Sequence, residues 1–337
     1  MKYIICESPG NFLLKEKLKP VPGKGEVLID IKRIGICGTD IHAYGGNQAY
    51  FSYPRILGHE LAAEIVDSNG SILFKNHDKV VPIPYLHCGK CIACIKGKTN
   101  CCKQMKVMGV HVDGGMQETL SVSEDILVPT PHLSYEEMAI VEPLAIAAHA
   151  VRIAEVSREQ TILVMGCGPI GLALMALAKL RGAEVIALDI NQKRLAFAKN
   201  EIGVDKTIIA GADSVDEIAD YTSGDLCQTV FDATGSKMAL ESGPQYLSHG
   251  GRFIMVGLSK GDLIFNHPAI HAKETTIMCS RNATREDFDY VIDVLAHKKF
   301  PASSYITHQE KFQDMIGMFK EWIHPDNEVI KAMVSFI

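Results

Sequence analysis

The run Gly166-Cys167-Gly168-Pro169-Ile170-Gly171 restricts the fold of this chain more than any other segment. It follows a short, fully apolar stretch at 161–165 and opens a helical pattern at 172–181 that stops at Gly182. Such a glycine pattern also occurs as an ordinary turn in α/β proteins. Here a second apolar strand follows at 185–188, and Asp189 ends it 18 residues after Gly171. In a βαβ unit of this kind the glycines permit a tight turn, and the helix N-terminus receives a pyrophosphate. An acid at Asp189 accepts hydrogen bonds from ribose hydroxyls and repels a 2′-phosphate, which favours NAD over NADP.

Strand–helix alternation continues through a helix at 192–200 and strands at 229–231 and 253–256, the pattern of a doubly wound parallel sheet. A helical run at 142–154 precedes it. The earlier part of the chain has a different texture. Residues 27–32 alternate apolar and polar, Pro20, Pro22, Gly23 and Gly25 punctuate, and short strands follow at 61–66, 79–83 and 118–122. After about residue 285 the pattern loosens, and 330–336 again reads as a strand that returns to the first domain. The expected division is 1–148, 149–285 and 286–337.

With 337 residues, two domains are expected, and 47% apolar residues suffice for two cores. A net charge of -6 without any basic block argues against a nucleic-acid or anionic-membrane partner. Glu7, Ser8 and Pro9 interrupt the N-terminal apolar run before it reaches the length of a signal peptide, and no apolar stretch is long enough to span a bilayer. A cytoplasmic location with a small-molecule substrate is therefore expected.

Five of the ten cysteines lie between 88 and 102. Cys88, Cys91, Cys94 and Cys102 form C-x2-C-x2-C-x7-C, a spacing that closes a thiolate tetrahedron round Zn2+. Four protein ligands leave no open position, so such a zinc is structural. An iron–sulfur cluster and unligated thiols are the competing readings, and Cys101 is the alternative fourth ligand. Cys6, Cys167, Cys227 and Cys279 are expected as small apolar fillers. A second set, Cys37, His59 and Glu142 with Glu60 available as a fourth, combines a thiolate, an imidazole and carboxylates. A mixed set that leaves a position open suits a catalytic zinc. Spacing alone does not bring these residues together.

The chain resembles the zinc-containing medium-chain dehydrogenases along essentially its whole length. The likeness lies in Gly35-Ile36-Cys37-Gly38-Thr39-Asp40-Ile41-His42, Gly58-His59-Glu60, the four-cysteine lobe, the 166–171 turn and Asp232-Ala233-Thr234-Gly235. The resemblance implies an α/β protein with a Rossmann domain and a β-rich, GroES-like catalytic domain carrying a structural zinc lobe. It implies NAD and two Zn2+ per chain. The catalytic ion would be held by Cys37 and His59, with Glu142 third as in the polyol and threonine dehydrogenase branches, and Glu60 joining or exchanging. It favours Cys102 over Cys101 in the lobe. Nucleotide contacts are expected from Gly166, Gly168, Pro169, Ile170, Gly171, Asp189, Arg194, Thr234 and Gly235.

The implied reaction is reversible oxidation of a secondary alcohol to a ketone. Zinc lowers bound water from a pKa of about 15.7 to about 7, and a like shift on an alcohol is on the order of 12 kcal/mol. The resemblance implies a proton relay through Thr39 and His42, and Asp40 is expected to orient the histidine ligand. Within the branch, residues 45–48, 51–55, 109–115 and 280–284 are most similar to a sugar-acid dehydrogenase. Arg281 is the candidate fork for a substrate carboxylate, with Tyr44, Gln48 and Phe51 lining the same pocket. The alternatives are a threonine-type or polyol dehydrogenase and a nucleotide-binding relative without activity, which usually lacks the metal ligands retained here. By the same resemblance the protein is expected to be a homotetramer or homodimer.

Overall fold

A computed structural model describes residues 1–48, 51–324 and 327–336. The chain divides into two compact units, Met1–Glu142 with Thr284–Ile337, and Pro143–Ala283. The two units divide inside the helix Val141–Ile153, whose first-turn residue Glu142 hydrogen-bonds to Tyr85 of the first unit. Among the described residues no helix is long and apolar enough to cross a membrane.

The first unit is built on the strand Glu26–Gly35. Val27, Ile29 and Ile31 point inward at the two-residue period of a strand, and a register shift between Ile31 and Arg33 resets the phase so that Ile34 also points inward. This strand pairs antiparallel with Glu60–Asp67, with Thr119–Ser123 along its first half, and with Lys331–Ser335 along its second. The tail of the chain thus closes the sheet, and Ile306–Lys311 extends it by parallel pairing. Ile29, Ile34, Leu61, Ile65 and Val80 share one core with Phe312, Met315 and Phe319. Where the sequence pattern loosened, the structure has the helices Arg285–Ala296 and Met315–Trp322. The first is capped by Asp287, whose carboxylate accepts from the Thr284 backbone N–H at 2.8 Å, and it buries Phe288, Val291 and Leu295 at helical spacing.

The second unit is a six-stranded parallel sheet ordered Lys206–Ile209, Glu184–Asp189, Thr161–Met165, Cys227–Asp232, Leu247–Met255 and Thr276–Cys279. Counting from Thr161–Met165, that is the Rossmann order 3-2-1-4-5-6. Its central strands are buried on both faces and read as continuous apolar runs. Cys279, expected as a buried filler, is exposed because its strand is the sheet edge.

The helix Pro169–Leu180 starts against the glycine turn so closely that a Cβ on Gly171 would lie 1.8 Å from the Gly166 carbonyl oxygen. Gly171→Ala is therefore expected to cost about 2 kcal/mol or more, read as a lowered Tm. Lys179 on the same helix donates to both oxygens of Asp205 at 2.8 Å, and Asp205 also accepts from the Val185 backbone N–H at 2.7 Å. Burial pushes the Asp205 carboxyl up, but these donors outweigh it and hold it below its ordinary value. Its contribution is thus present above the unfolded carboxyl pKa of about 4 and is lost as pH falls through the lower folded value. Asp205→Asn should lose about 1 kcal/mol at pH 7. In urea titrations that gap should close in acid; a gap independent of pH would contradict the ion pair.

Candidate active site

Cys37 precedes the short helix Gly38–Tyr44, and Asp40 lies in the first turn of that helix. Asp40 Oδ2 accepts from the Cys37 backbone N–H at 2.9 Å, and Oδ1 accepts from the Gly58 N–H at 3.3 Å. One buried carboxylate therefore ties the loop carrying Cys37 to the loop carrying His59. Asp40, expected to orient the imidazole, approaches it within ion-pair range without a hydrogen bond. His59 Nδ1 lies 3.9 Å from Asp40 Oδ1 and is buried without a hydrogen-bond partner. Gly58, at φ +93°, turns the chain between Leu57 and His59 in a space that glycine backbone leaves open: a Cβ on Gly114 would lie 2.2 Å from the Gly58 carbonyl oxygen.

Ligand atoms of Cys37, His59 and Glu60 all lie within 4.8 Å of one another. His59 is 5% exposed, Glu60 0% and Glu142 2%. Glu142 stands outside that tight group, yet in the same buried enclosure: Tyr85 donates its hydroxyl to Glu142 Oε1, and His59, Glu60 and Lys331 all act on its charge. Burial pushes the Glu142 carboxyl up to about 7, with Glu60 adding to the rise against His59 and Tyr85. Burial also raises Asp40, against His59 and the backbone donors. Burial disfavours the His59 imidazolium, but Cys37, Asp40 and Glu142 outweigh it and hold its pKa well above the usual value. Three carboxylates and a thiol around one imidazole form a donor set short of positive charge, and a divalent cation suits it.

Lys331 and Tyr85 were not singled out in the sequence. Lys331, on the last strand, places Nζ 2.7 Å from both Glu60 oxygens. Burial lowers the ammonium, but Glu60, Tyr305 and Cys37 outweigh it and hold the pKa above the usual lysine value. Lys331 opens a strand whose next three residues are also buried, and no residue near it in the sequence points to Glu60.

The cysteine lobe closes as its spacing requires: the sulfurs of Cys88, Cys91, Cys94 and Cys102 lie within 4.8 Å of one another. Cys101 is exposed and outside the group, whereas Cys102 is buried and its sulfur accepts from the N–H groups of Cys88 at 3.2 Å and Gln104 at 3.3 Å. Backbone N–H groups of Cys94 and Lys103 draw the Cys91 thiol down to about 6, the direction a thiolate ligand needs.

Other expected residues are distributed unevenly. Thr39 is half-buried and His42 exposed on the helix Gly38–Tyr44, three residues apart, with His42 Nδ1 3.1 Å from Asn47 Oδ1. Tyr44 stacks on Phe12 at 4.8 Å and meets Phe319 at 5.0 Å, and Phe51 packs on Tyr53 at 4.8 Å. Both rings border the first unit's core. Gln48 is half-buried, and Arg281 is exposed in the second unit.

In the second unit Gly166 takes φ +96°, Gly168 precedes the helix, Pro169 fills its first position and Ile170 follows. Asp189 ends its strand with Oδ2 accepting from the Cys167 N–H at 2.6 Å and Oδ1 from the Asn191 N–H at 2.8 Å. The carboxylate thus braces the turn, with further lone pairs for a ribose. Arg194 is exposed on the helix Gln192–Phe197. Asp232 accepts from Thr234 Oγ1 at 2.6 Å and the Gly235 N–H at 3.1 Å, which fixes the next strand end.

The zinc-binding dehydrogenase family matches residues 169–297, and the alcohol dehydrogenase GroES-like domain matches 23–132. The chain is 41% identical over 337 residues to L-galactonate-5-dehydrogenase of Escherichia coli K12, covering 100% of this chain and 99% of that protein. It is 33% identical to a sorbitol dehydrogenase of Halalkalibacterium halodurans over 89% of each. A solved short chain alcohol dehydrogenase of Escherichia coli CFT073, complexed with the cofactor NADH, is 29% identical with a TM-score of 0.93 over 100% of this chain and 99% of that one. The parallel sheet, the GroES-like unit, the cysteine lobe and these matches place the chain in the zinc-binding alcohol dehydrogenase family.

Proposed function

We propose that this chain is a zinc- and NAD-dependent dehydrogenase that oxidises a secondary alcohol of a sugar acid to a ketone, with L-galactonate, at C5, as its substrate. The observation that carries the substrate is the 41% identity to L-galactonate-5-dehydrogenase across the whole of both chains. The sorbitol dehydrogenase relative supports a polyol as the second reading. A cytoplasmic homotetramer or homodimer belongs to the same proposal.

The buried donor set fits a divalent ion: Cys37, His59 and Glu60 offer ligand atoms within 4.8 Å of one another, and these three with the buried Glu142 would hold it. Bound zinc supplies Lewis acidity that acidifies an alcohol hydroxyl, and NAD accepts the hydride. The chain's own groups do the rest. Asp40 fixes the spacing of the Cys37 and Gly58 backbones, and Tyr85 holds one oxygen of Glu142. Thr39 and His42, half-buried and exposed on one helix, carry the hydroxyl proton outward. Cys88, Cys91, Cys94 and Cys102 hold a second, structural zinc. Gly166, Gly168, Pro169, Ile170, Gly171, Asp189, Arg194, Thr234 and Gly235 bind the dinucleotide, and Arg281 takes the substrate carboxylate.

Metal analysis should find about two zincs per chain. Cys102→Ser should lose one with a fall in Tm, and Cys37→Ser should lose the other with activity abolished. NADH formation over L-galactonate, other sugar acids, sorbitol, xylitol and L-threonine decides the substrate. Turnover on L-galactonate is expected to lead, and a preference for sorbitol or L-threonine would replace the sugar-acid reading. Arg281→Lys should raise KM for the sugar acid by about tenfold, roughly 1.4 kcal/mol, at unchanged zinc content. An unchanged KM removes Arg281 from substrate recognition.

A further inference from the structure

The cysteine lobe has a base as well as a set of metal ligands. Its chain enters through Tyr85–Leu86, just ahead of Cys88, and leaves through Lys106–Val107, just after Cys102. These two short strands pair antiparallel, with Tyr85 opposite Val107 and Leu86 opposite Lys106. Met108 continues the pair, its N–H donating to the Pro84 carbonyl at 3.0 Å. So short a ladder does not hold by itself. What closes the loop beyond it is the four-sulfur group, with the Cys102 sulfur accepting from the Cys88 N–H at 3.2 Å.

Both strands lead into the catalytic set. Tyr85 is 4% exposed, its ring lies edge-on to Phe288 at 6.2 Å, and its hydroxyl donates to Glu142 Oε1. The returning strand runs into the 109–115 segment. There the N–H groups of Gly114, Gly115 and Met116 donate to the carbonyls of Ile56, Gly58 and Leu57 at 2.8, 2.8 and 2.9 Å. Gly109 comes so near that a Cβ on it would lie 2.9 Å from the Gly58 nitrogen. The base of the lobe thus reaches Glu142 through one strand and the residue before His59 through the other.

The Tyr85 hydroxyl meets Glu142 from a strand whose place the closed lobe sets. With one carboxylate oxygen held in this way, the other is oriented toward a metal. We propose that the cysteine lobe positions the catalytic metal set through its base, with Tyr85 as the positioning residue that fixes Glu142. The inference rests on the reading of the cysteine lobe, and of Cys37, His59, Glu60 and Glu142, as two zinc sites.

The test follows zinc release from the intact protein, carrying both ions, to a chromogenic chelator. The phase absent from Cys37→Ser belongs to the catalytic site, and the phase that remains belongs to the lobe. Tyr85→Phe removes one hydroxyl and keeps the ring, the strand pair and the cysteines. It should speed catalytic-site release by about tenfold, the size of a hydrogen bond to a charged group, with the lobe phase unchanged. Cys94→Ser should speed catalytic-site release by at least as much, because it frees the base. Adding Tyr85→Phe to Cys94→Ser should change that rate by less than about twofold, since both act through one contact. A tyrosine that merely packs would leave the catalytic phase at the wild-type rate, and that result overturns the proposal. So does an effect of Tyr85→Phe that persists in full without the closed lobe. Should Cys94→Ser fail to fold, Lys106→Pro takes its place, interrupting the strand pair while keeping all four cysteines. Wild-type and Cys37→Ser proteins that release zinc alike would overturn the zinc reading of Cys37, and the proposal with it.

Discussion

Burying acids without enough positive charge is the constraint around which the first unit is organised. Asp40, Glu60 and Glu142 are all less than 3% exposed, and the Cys37 thiol sits among them. Each would leave water at a cost of several kcal/mol unless paired or hydrogen-bonded. The chain answers differently for each. Backbone N–H groups take Asp40, an ammonium takes Glu60, and a phenol takes one oxygen of Glu142. A cation would add most beside Cys37 and His59, where their ligand atoms and that of Glu60 lie within 4.8 Å of one another.

Holding these groups together depends on places where the backbone carries no side chain. Gly35 admits the Glu60 carboxylate, and Gly114 lets the 109–115 segment press on Gly58. In the second unit Gly171 lets a helix start against the carbonyl of Gly166. Each is a close approach rather than a flexible hinge, and each lies inside a motif on which the family resemblance rests. The glycines therefore record the shape of the site as much as its turns.

Features carried by local spacing were legible in the sequence. The cysteine lobe closes on residues at most 14 apart, and Asp189 is placed by the length of one βαβ unit. The mixed donor set was legible only through the family resemblance, since its members come from separate loops and a helix. Lys331 and Tyr85 were not legible, because nothing near them in the chain signals a partner at Glu60 or Glu142. Tyr44 and Phe51 show a different limit, since the sequence does not reveal their aromatic partners. They stand in or near the helix after Cys37 in sequence, and their rings meet Phe12, Phe319 and Tyr53. The helix Arg285–Ala296 was legible and missed: Thr284 and Asp287 are a cap, and Phe288, Val291 and Leu295 keep helical period.

The closing strand Lys331–Ser335 sets an order on synthesis. As the chain leaves the ribosome, Glu60 and its acidic neighbours emerge long before Lys331, with the whole Rossmann unit made in between. That unit is continuous in sequence and can fold by itself as it appears. The first unit has to wait, its central strand lacking the neighbour along its second half and its carboxylate lacking a counter-charge. Arrival of the closing strand therefore supplies two things at once, the missing neighbour of the central strand and the ammonium that pairs with Glu60.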